Sequence, residues 1–245
     1  MRQTHGFSLV ELSIVLVILG LLTGGILAGQ SLIRAAQLRS VSNDHQRYIT
    51  AVATFKDKYF AIPGDMGNAT SFWGDQATGT GACANAAIAD GSPGTCNGDA
   101  DGLVEINNEM FRFWQHLANA GLIEGSYTGI NGSGSSQLHI AGENAPASRI
   151  SNAGWFTHER QTASQLHGLT NMGNTLGLGA PFPGSTFYSP IFKPEEVWNI
   201  DTKMDDGLPI SGKVLAGVQG TCASATAYTL TQTGNTCWMA FQQAY

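Results

Sequence analysis

The stretch from Leu12 to Ile33 limits the possible folds more than any other feature of the sequence. It contains 22 residues without a charge, and most of them are Leu, Ile, Val or Gly. As an α-helix rising ~1.5 Å per residue, it would span the ~30 Å hydrocarbon core of a bilayer. No other segment of the 245 residues is long and uncharged enough to do so, which excludes a polytopic membrane protein.

Two interpretations of this segment compete, a cleaved secretory signal peptide and a retained membrane anchor. Glu11 lies just before it, where a carboxylate in hydrocarbon costs roughly 2.5–3.5 kcal/mol and therefore needs a partner or a purpose. The segment is longer than the ~7–15-residue apolar core of a signal peptide. Residues 27–29, Leu-Ala-Gly, form only a poor cleavage site, and a helical pattern follows them. These features favour the anchor.

The residues from Gly6 to Leu12, Gly-Phe-Ser-Leu-Val-Glu-Leu, resemble the processing and methylation motif of type IV prepilins and type II secretion pseudopilins. In that family, a membrane aspartyl peptidase cuts after the glycine and methylates the new N-terminal amine. The resemblance implies cleavage between Gly6 and Phe7, which would remove residues 1–6 as a leader peptide and leave N-methylated Phe7. It also implies an assembly role for Glu11, the fifth residue of the mature chain.

The chemistry of these residues agrees with such a role. A small glycine lets a peptidase approach the backbone closely. Cleavage after Gly6 would place a cationic amine one helical turn from Glu11, at i and i+4. In lipid, an amine and a carboxylate each need a counter-charge, which they could supply to each other within one subunit or between neighbouring subunits. The resemblance implies the intersubunit pair, and the alternative is a Glu11 that is solvated near the membrane interface.

The helical pattern continues beyond the apolar segment. Apolar or semi-apolar residues recur at alternating steps of three and four, which is one face of a helix: Leu38, Val41, His45, Tyr48, Val52, Phe55 and Tyr59. Pro63 and Gly64 end the pattern. We therefore predict one helix from about Ser8 to Phe60. Residues 7–29 would form its transmembrane and assembly part, residues 30–62 its amphipathic continuation, and residues 63–245 a globular head.

The head is predicted to contain a second helix and several strands. The helix would be capped near Asn107 or Asn108 and end at Gly121. The strand candidates are residues 137–141, 186–188, 197–200, 214–218, 227–231 and 237–241. This order predicts an α+β class: a pilin-like fold with a long N-terminal helix packed on a small antiparallel-sheet head with long loops.

Four cysteines fall into two local pairs. An exported head would meet an oxidising compartment, in which disulfides persist. Four cysteines allow three pairings, and proximity favours Cys83 with Cys96 and Cys222 with Cys237. The absence of close Cys-x2-Cys spacing argues against a zinc site.

The first of two acidic loops resembles the beginning of a calcium loop. In Asn97–Gly102, Asn-Gly-Asp-Ala-Asp-Gly, oxygen ligands occupy positions 1, 3 and 5, and a glycine occupies position 6. The twelfth position is Asn108 rather than glutamate, so a nearby glutamate would have to complete the site. We predict a calcium site formed by Asn97, Asp99, Asp101 and one or both of Glu105 and Glu109. The alternative is an Asp/Asn/Gly turn without an ion.

The second acidic loop contains Asp201, Asp205 and Asp206. It resembles an acidic turn near the C-terminal end of some pilin-like heads, which makes these three residues a second, weaker metal candidate. The alternative is that residues 205–207, Asp-Asp-Gly, form a hairpin turn.

Other functions find no support in the sequence. It has no Gly-x-Ser-x-Gly elbow, no P-loop and no dinucleotide fingerprint, so we expect no enzyme activity and no cofactor other than calcium. The net charge of −6 argues against a nucleic-acid partner.

The sequence therefore predicts a structural subunit, a pilin or pseudopilin of the minor or large type. Its expected partners are copies of itself or other pilins and pseudopilins in a helical filament, together with prepilin peptidase. Before assembly it would be a single-pass inner-membrane protein with a periplasmic head, and afterwards part of an extracellular or periplasmic filament. The alternative is a membrane-anchored extracellular binding or adhesion protein that never polymerises.

Overall fold

A computed structural model describes residues 8–76, 94–106, 109–131, 138–163, 169–182, 187–217 and 220–245. The chain divides into two compact units, an N-terminal unit, Met1–Ser40, and a C-terminal unit, Val41–Tyr245. The elements in chain order are α1 (Leu9–Tyr59), α2 (Thr70–Trp73), α3 (Glu109–Asn119), β1 (Gly154–Ala163), β2 (Leu169–Gly179), α4 (Pro194–Met204), β3 (Val214–Gly217) and β4 (Trp238–Phe241). The predicted α+β class, with a long N-terminal helix followed by a small antiparallel sheet, is confirmed.

Helix α1 is 51 residues long and runs through both units. In the N-terminal unit, residues 8–28 are exposed throughout. The helix ends where Phe60 adopts a left-handed backbone with φ of 54°, and its N–H donates to the carbonyl of Lys56 at 2.8 Å. Pro63 follows and cannot continue a helix.

In the C-terminal unit, α1 contributes its apolar stripe to the core. Val41, Tyr48, Val52 and Phe55 of that stripe are buried. The ring of Tyr48 lies edge-on to Trp114 of α3 at 5.0 Å and to Trp155 of β1 at 5.3 Å. The alternating steps of three and four residues therefore predicted which face of the helix packs against the head.

The sheet has four antiparallel strands in the order β1-β2-β4-β3. Strands β1 and β2 form a long hairpin that pairs Trp155 with Leu178. Strand β4 then lies between β2 and β3, so that Phe241 pairs with Leu176 on one side and with Val214 on the other. The strand nearest the C-terminus, β4, is thus a central strand of the sheet, and all four of its residues are buried.

Four strand predictions agree poorly with the structure. Residues 197–200 lie in α4 because stronger helix signals surround them: Pro194 is the first helical residue, and the N–H of Lys193 donates to Oε2 of Glu196 at 2.9 Å in a capping box. Residues 138–141 and 227–231 form only the isolated bridges Ala141–Ala145 and Ala223–Tyr228. Of residues 186–188, the first lies outside the described residues, and the other two belong to no strand.

Helix α3 is buried on every side. Its apolar residues Met110, Phe113, Trp114 and Leu117 are buried. The polar residues of the same helix are buried as well: Glu109, Arg112, Gln115 and His116. The predicted cap residues 107–108 lie outside the described residues. Helix α3 therefore brings polar side chains into the core, where they need hydrogen-bond partners from neighbouring segments.

Candidate functional site

Ser8 and Glu11 cap the first turn of α1. Oγ of Ser8 accepts the N–H of Val10 at 3.3 Å, and Oε2 of Glu11 accepts the N–H of Ser8 at 2.8 Å. The carboxylate of Glu11 therefore lies against the positive end of its own helix dipole, where a negative charge is stabilised. This Ser-x-x-Glu signature is present in the sequence but was not used to predict the start of the helix. Gly6 and Phe7, the predicted processing residues, lie outside the described residues.

The apolar surface of α1 in the N-terminal unit is uncovered within the described chain. An 18-residue window of the helix has a mean hydropathy of 2.4, and none of it is buried. Leu9, Leu21 and Leu32 are each more than two thirds exposed. Apolar surface of this extent on a protein marks contact with a membrane or with a partner. The helix is thus consistent with membrane anchoring.

The first acidic loop brings together three carboxylates, two of which the sequence predicted. Oxygen atoms of Asp65, Asp99 and Asp101 all lie within 4.8 Å of one another. Two ligands of one calcium ion, each at 2.3–2.6 Å, are at most about 5.2 Å apart, so the three oxygens fit a shared ion. Asp65 was missed because it lies 34 residues before Asp99, directly after the end of α1.

Asp65 also holds the loop in place. Its carboxylate accepts the N–H of Asp101 at 3.1 Å and that of Gly102 at 3.0 Å, and its carbonyl accepts the N–H of Ala100 at 3.1 Å. A Cβ on Gly98 would lie 2.4 Å from Cα of Asp65, so only glycine permits this approach. Burial raises the pKa of Asp65 to about 6, although the backbone hydrogen bonds oppose that shift.

Two of the other predicted ligands, Asn97 and Glu109, accept backbone N–H groups. Oε1 of Glu109 accepts the N–H of Asp99, and Oε2 accepts the N–H of Glu105, both at 3.1 Å. Burial raises the pKa of Glu109 to about 7, and the negative charges of Asp65 and Asp99 add to the shift. Oδ1 of Asn97 accepts the N–H of Thr70 at 2.9 Å, at the start of α2. Neither Glu105 nor Glu109 belongs to the group of carboxylates that lie within 4.8 Å of one another.

The second acidic loop joins α4 to β3 and is therefore not a hairpin turn. Asp201, Asp205 and Asp206 also lie within 4.8 Å of one another. Oδ1 of Asp206 accepts the N–H of Leu208 at 2.8 Å, and Oδ2 of Asp205 accepts the N–H of Val214 at 3.1 Å. Backbone N–H groups thus donate to these carboxylates and shape the connection between α4 and β3.

The comparisons with known proteins concern the N-terminus. Residues 1–27 match the family described as the prokaryotic N-terminal methylation motif. The N-terminus carries the type IV prepilin and pseudopilin signature. No curated protein and no solved structure matches the chain. The matched residues include Gly6, Phe7 and Glu11.

The C-terminal disulfide of the pilin-like head is present as predicted, between Cys222 and Cys237. Cys237 also pairs with Phe192 through backbone hydrogen bonds of 2.9 and 3.0 Å, which attach the closed loop to the segment before α4. Cys96 is disulfide-bonded too, and its predicted partner, Cys83, lies outside the described residues.

Proposed function

We propose that this chain is a structural subunit, of the minor or large type, in a type IV pilus or a type II secretion pseudopilus. Prepilin peptidase would cut it between Gly6 and Phe7 and methylate Phe7. Until assembly it would cross the inner membrane once, with residues 63–245 in the periplasm. The observation that carries this proposal is that the methylation motif leads directly into a helix whose apolar surface is unburied.

Two environments in turn would cover that surface. Lipid covers it before assembly, and the corresponding helices of neighbouring subunits cover it in a filament. Gly20, Gly24, Gly25 and Gly29 have no atom within 4 Å of a Cβ built on them, so neighbouring helices can approach closely on those faces. In the isolated subunit, the Glu11 carboxylate accepts the N–H of Ser8. In a filament, it would pair with the N-terminal amine of a neighbouring subunit.

The minor or large type is proposed because the chain is longer than a typical major pilin. Incorporation into filaments is the decisive test against a non-polymerising anchored adhesion protein. We expect the mature chain in filaments sheared from cells that express it with its assembly system and peptidase. A fully processed chain that stays in the membrane fraction, while filaments form without it, would favour the anchored adhesion protein.

We further propose that Asp65, Asp99 and Asp101 hold a calcium ion. Carboxylate oxygens are the ligands that Ca²⁺ prefers, and the spacing of these three fits one ion. Glu109 would position the loop rather than bind the ion, because it does not belong to the group of carboxylates within 4.8 Å of one another and its oxygens hold the N–H groups of Asp99 and Glu105. The ion would offset the mutual repulsion of the three carboxylates and join the end of α1 to the start of α3.

A further inference from the structure

Asn174 of β2 clamps the segment that follows the first acidic loop. It is 5% exposed. Its Oδ1 accepts the N–H of Val104 at 2.8 Å, and its Nδ2 donates to the carbonyl of Gly102 at 3.0 Å. The side-chain amide can face only one way, because a flipped amide would set Nδ2 against an N–H and Oδ1 against a carbonyl. One side chain thus fixes two backbone groups that lie 70 and 72 residues earlier in the chain.

The backbone of Asn174 is itself held on both sides. Asn174 pairs with Glu159 of β1 in the hairpin, and its carbonyl accepts the N–H of Ala244 at 2.9 Å. The N–H of Glu159 donates to the carbonyl of Val104 at 2.6 Å, and the Val104 side chain is fully buried. Both strands of the hairpin therefore hold Val104, so the end of the acidic loop is attached to the sheet by more than one contact.

The clamped segment in turn orients the carboxylates of the loop. Leu103, which lies between the two clamped residues, donates its N–H to Oδ1 of Asp101 at 2.8 Å. The N–H of Gly102 donates to Oδ2 of Asp65 at 3.0 Å. Gly102 thus gives its N–H to one carboxylate of the proposed calcium site and its carbonyl to Asn174. Without the clamp, the peptide groups on both sides of Gly102 could rotate and would carry Asp101 with them.

We propose that Asn174 is a positioning residue that sets the calcium affinity of the first acidic loop, an inference that rests on the calcium site proposed above. Asn174 is not one of the three ligands. It holds the backbone so that oxygen atoms of Asp65, Asp99 and Asp101 stay within 4.8 Å of one another. Residues that hold metal ligands in place commonly act in this way, and their loss weakens metal affinity about 10–100-fold. Calcium binding is therefore coupled to the β1–β2 hairpin, to which none of the three ligands belongs.

Asn144 offers a matched control, because it is buried and clamps a different segment. Its Oδ1 accepts the N–H of Ile140 at 2.7 Å, and its Nδ2 donates to the carbonyls of Ile130 and Leu138, each at 3.0 Å. Leucine is close to asparagine in size and makes no side-chain hydrogen bonds, so Asn174→Leu and Asn144→Leu each remove one buried clamp. Both variants should lower the melting temperature in the presence of a chelator, because each leaves buried backbone groups unsatisfied.

The test measures the calcium dissociation constant of the full-length protein in detergent micelles, by isothermal titration calorimetry below the melting temperature of each variant. Asn174→Leu should raise the constant about 10–100-fold, and Asn144→Leu should leave it unchanged. If Asn174→Leu lowered the melting temperature but bound calcium as tightly as the wild type, its role would be purely structural and the inference would be overturned. If the wild type itself bound no calcium, the proposed calcium site would fail, and the positioning role of Asn174 would fail with it.

Hydrogen exchange in the wild type decides the question if Asn174→Leu does not fold. NMR follows the exchange of single backbone N–H groups with and without calcium. The N–H of Val104, which donates to Asn174, should exchange about 10–100-fold more slowly at about 10 mM calcium, because an ion that binds only the closed loop with a dissociation constant of about 10⁻⁴–10⁻³ M protects it by that factor. The N–H of Ile140, which donates to Asn144, should exchange at the same rate in both conditions. If calcium bound to the wild type without slowing the exchange of Val104, the loop and the hairpin would not be coupled and the inference would be wrong.

Discussion

The phenol of Tyr228 donates a 2.6 Å hydrogen bond to Oδ2 of Asp201, and both residues are buried. Tyr228 belongs to the loop that the Cys222–Cys237 disulfide closes, and Asp201 belongs to α4. Oδ1 of Asp201 accepts the N–H of Gly207 at 3.2 Å in the second acidic loop. A single carboxylate thus connects three segments that are remote in sequence.

Tyr228→Phe should destabilise the C-terminal unit by about 1–3 kcal/mol, because it leaves a buried carboxylate with one acceptor unsatisfied. Chemical denaturation of the full-length protein in detergent measures the change. Tyr127→Phe is a matched control, because the Tyr127 hydroxyl donates to the carbonyl of Glu124 in an exposed loop. If both variants lost the same stability, the Tyr228–Asp201 bond would have no special role.

Acid should weaken the fold through His45. Its ring stacks on Phe241 at 4.1 Å, and burial, with Lys213 nearby, lowers its pKa to about 4 from 6.5. Between these values the unfolded chain binds a proton that the folded chain does not, so this contribution to stability falls as pH drops from 6.5 to 4. His45→Phe keeps the stacking and removes the proton. The free energy of unfolding of the variant, minus that of the wild type, should therefore be about 1–2 kcal/mol larger at pH 5 than at pH 7.5.

The comparison between variant and wild type is needed because other groups titrate with the opposite sign. Burial raises the pKa of Asp201 to about 6 and that of Glu109 to about 7. In the folded protein these two side chains keep a proton that they have lost in the unfolded chain. Their contribution to the free energy of unfolding therefore falls as pH rises from about 4 to 7. Denaturation curves of both proteins at pH 5 and 7.5 isolate the effect of His45, because the other groups titrate in the variant as they do in the wild type. An equal effect of His45→Phe at both pH values would contradict the prediction.

Periodicity and local chemistry were sufficient to predict α1, the N-terminal motif and the C-terminal disulfide. The hairpin of β1 and β2 was missed because Gly173, Gly177 and Gly179 interrupt β2, and glycine weakens a strand pattern. Asp65 was missed for another reason. Sequence patterns show which residues are polar but not which polar residues face inward, and the hydrogen-bond partners of the Asp65 carboxylate, Asp101 and Gly102, lie in a distant segment.

Processing is predicted to yield a mature chain that starts with N-methylated Phe7. Mass spectrometry of the N-terminal peptide tests this directly. Gly6→Trp should leave the precursor uncut, because a bulky side chain prevents the close approach of the peptidase to the backbone. A mature N-terminus at Gln30 would instead establish an ordinary signal peptide.

Glu11→Leu should insert into the membrane at least as well as the wild type, because it removes a charge from the apolar helix. Its incorporation into sheared filaments should fall by at least ~10-fold, which corresponds to the loss of about 1.4 kcal/mol of intersubunit contact. Immunoblots of the sheared and membrane fractions measure both quantities. Glu195→Leu, at an exposed position of α4, is the control for loss of a charge elsewhere. Normal incorporation of Glu11→Leu would refute the pairing role.

Calcium should stabilise the protein through the first acidic loop and not the second. With the 10⁻⁴–10⁻³ M dissociation constants typical of extracellular sites, 10 mM calcium should raise the melting temperature by about 3–8 °C. Magnesium chloride at the same concentration keeps the chloride constant and should have a smaller effect, because Mg²⁺ demands a near-ideal octahedral shell.

Variants in the two loops assign the calcium effect to one of them. Asp65→Asn and Asp99→Ala should abolish the calcium shift, whereas Asp206→Ala in the second loop should keep it. The shift should also shrink from pH 7.5 to 5.5, because protons compete with calcium for Asp65, whose pKa burial raises to about 6. If calcium left the melting temperature of the wild type unchanged, the first loop would be a hydrogen-bonded acidic turn. In that case, Asp65 would act only as the acceptor that holds the N–H groups of Asp101 and Gly102.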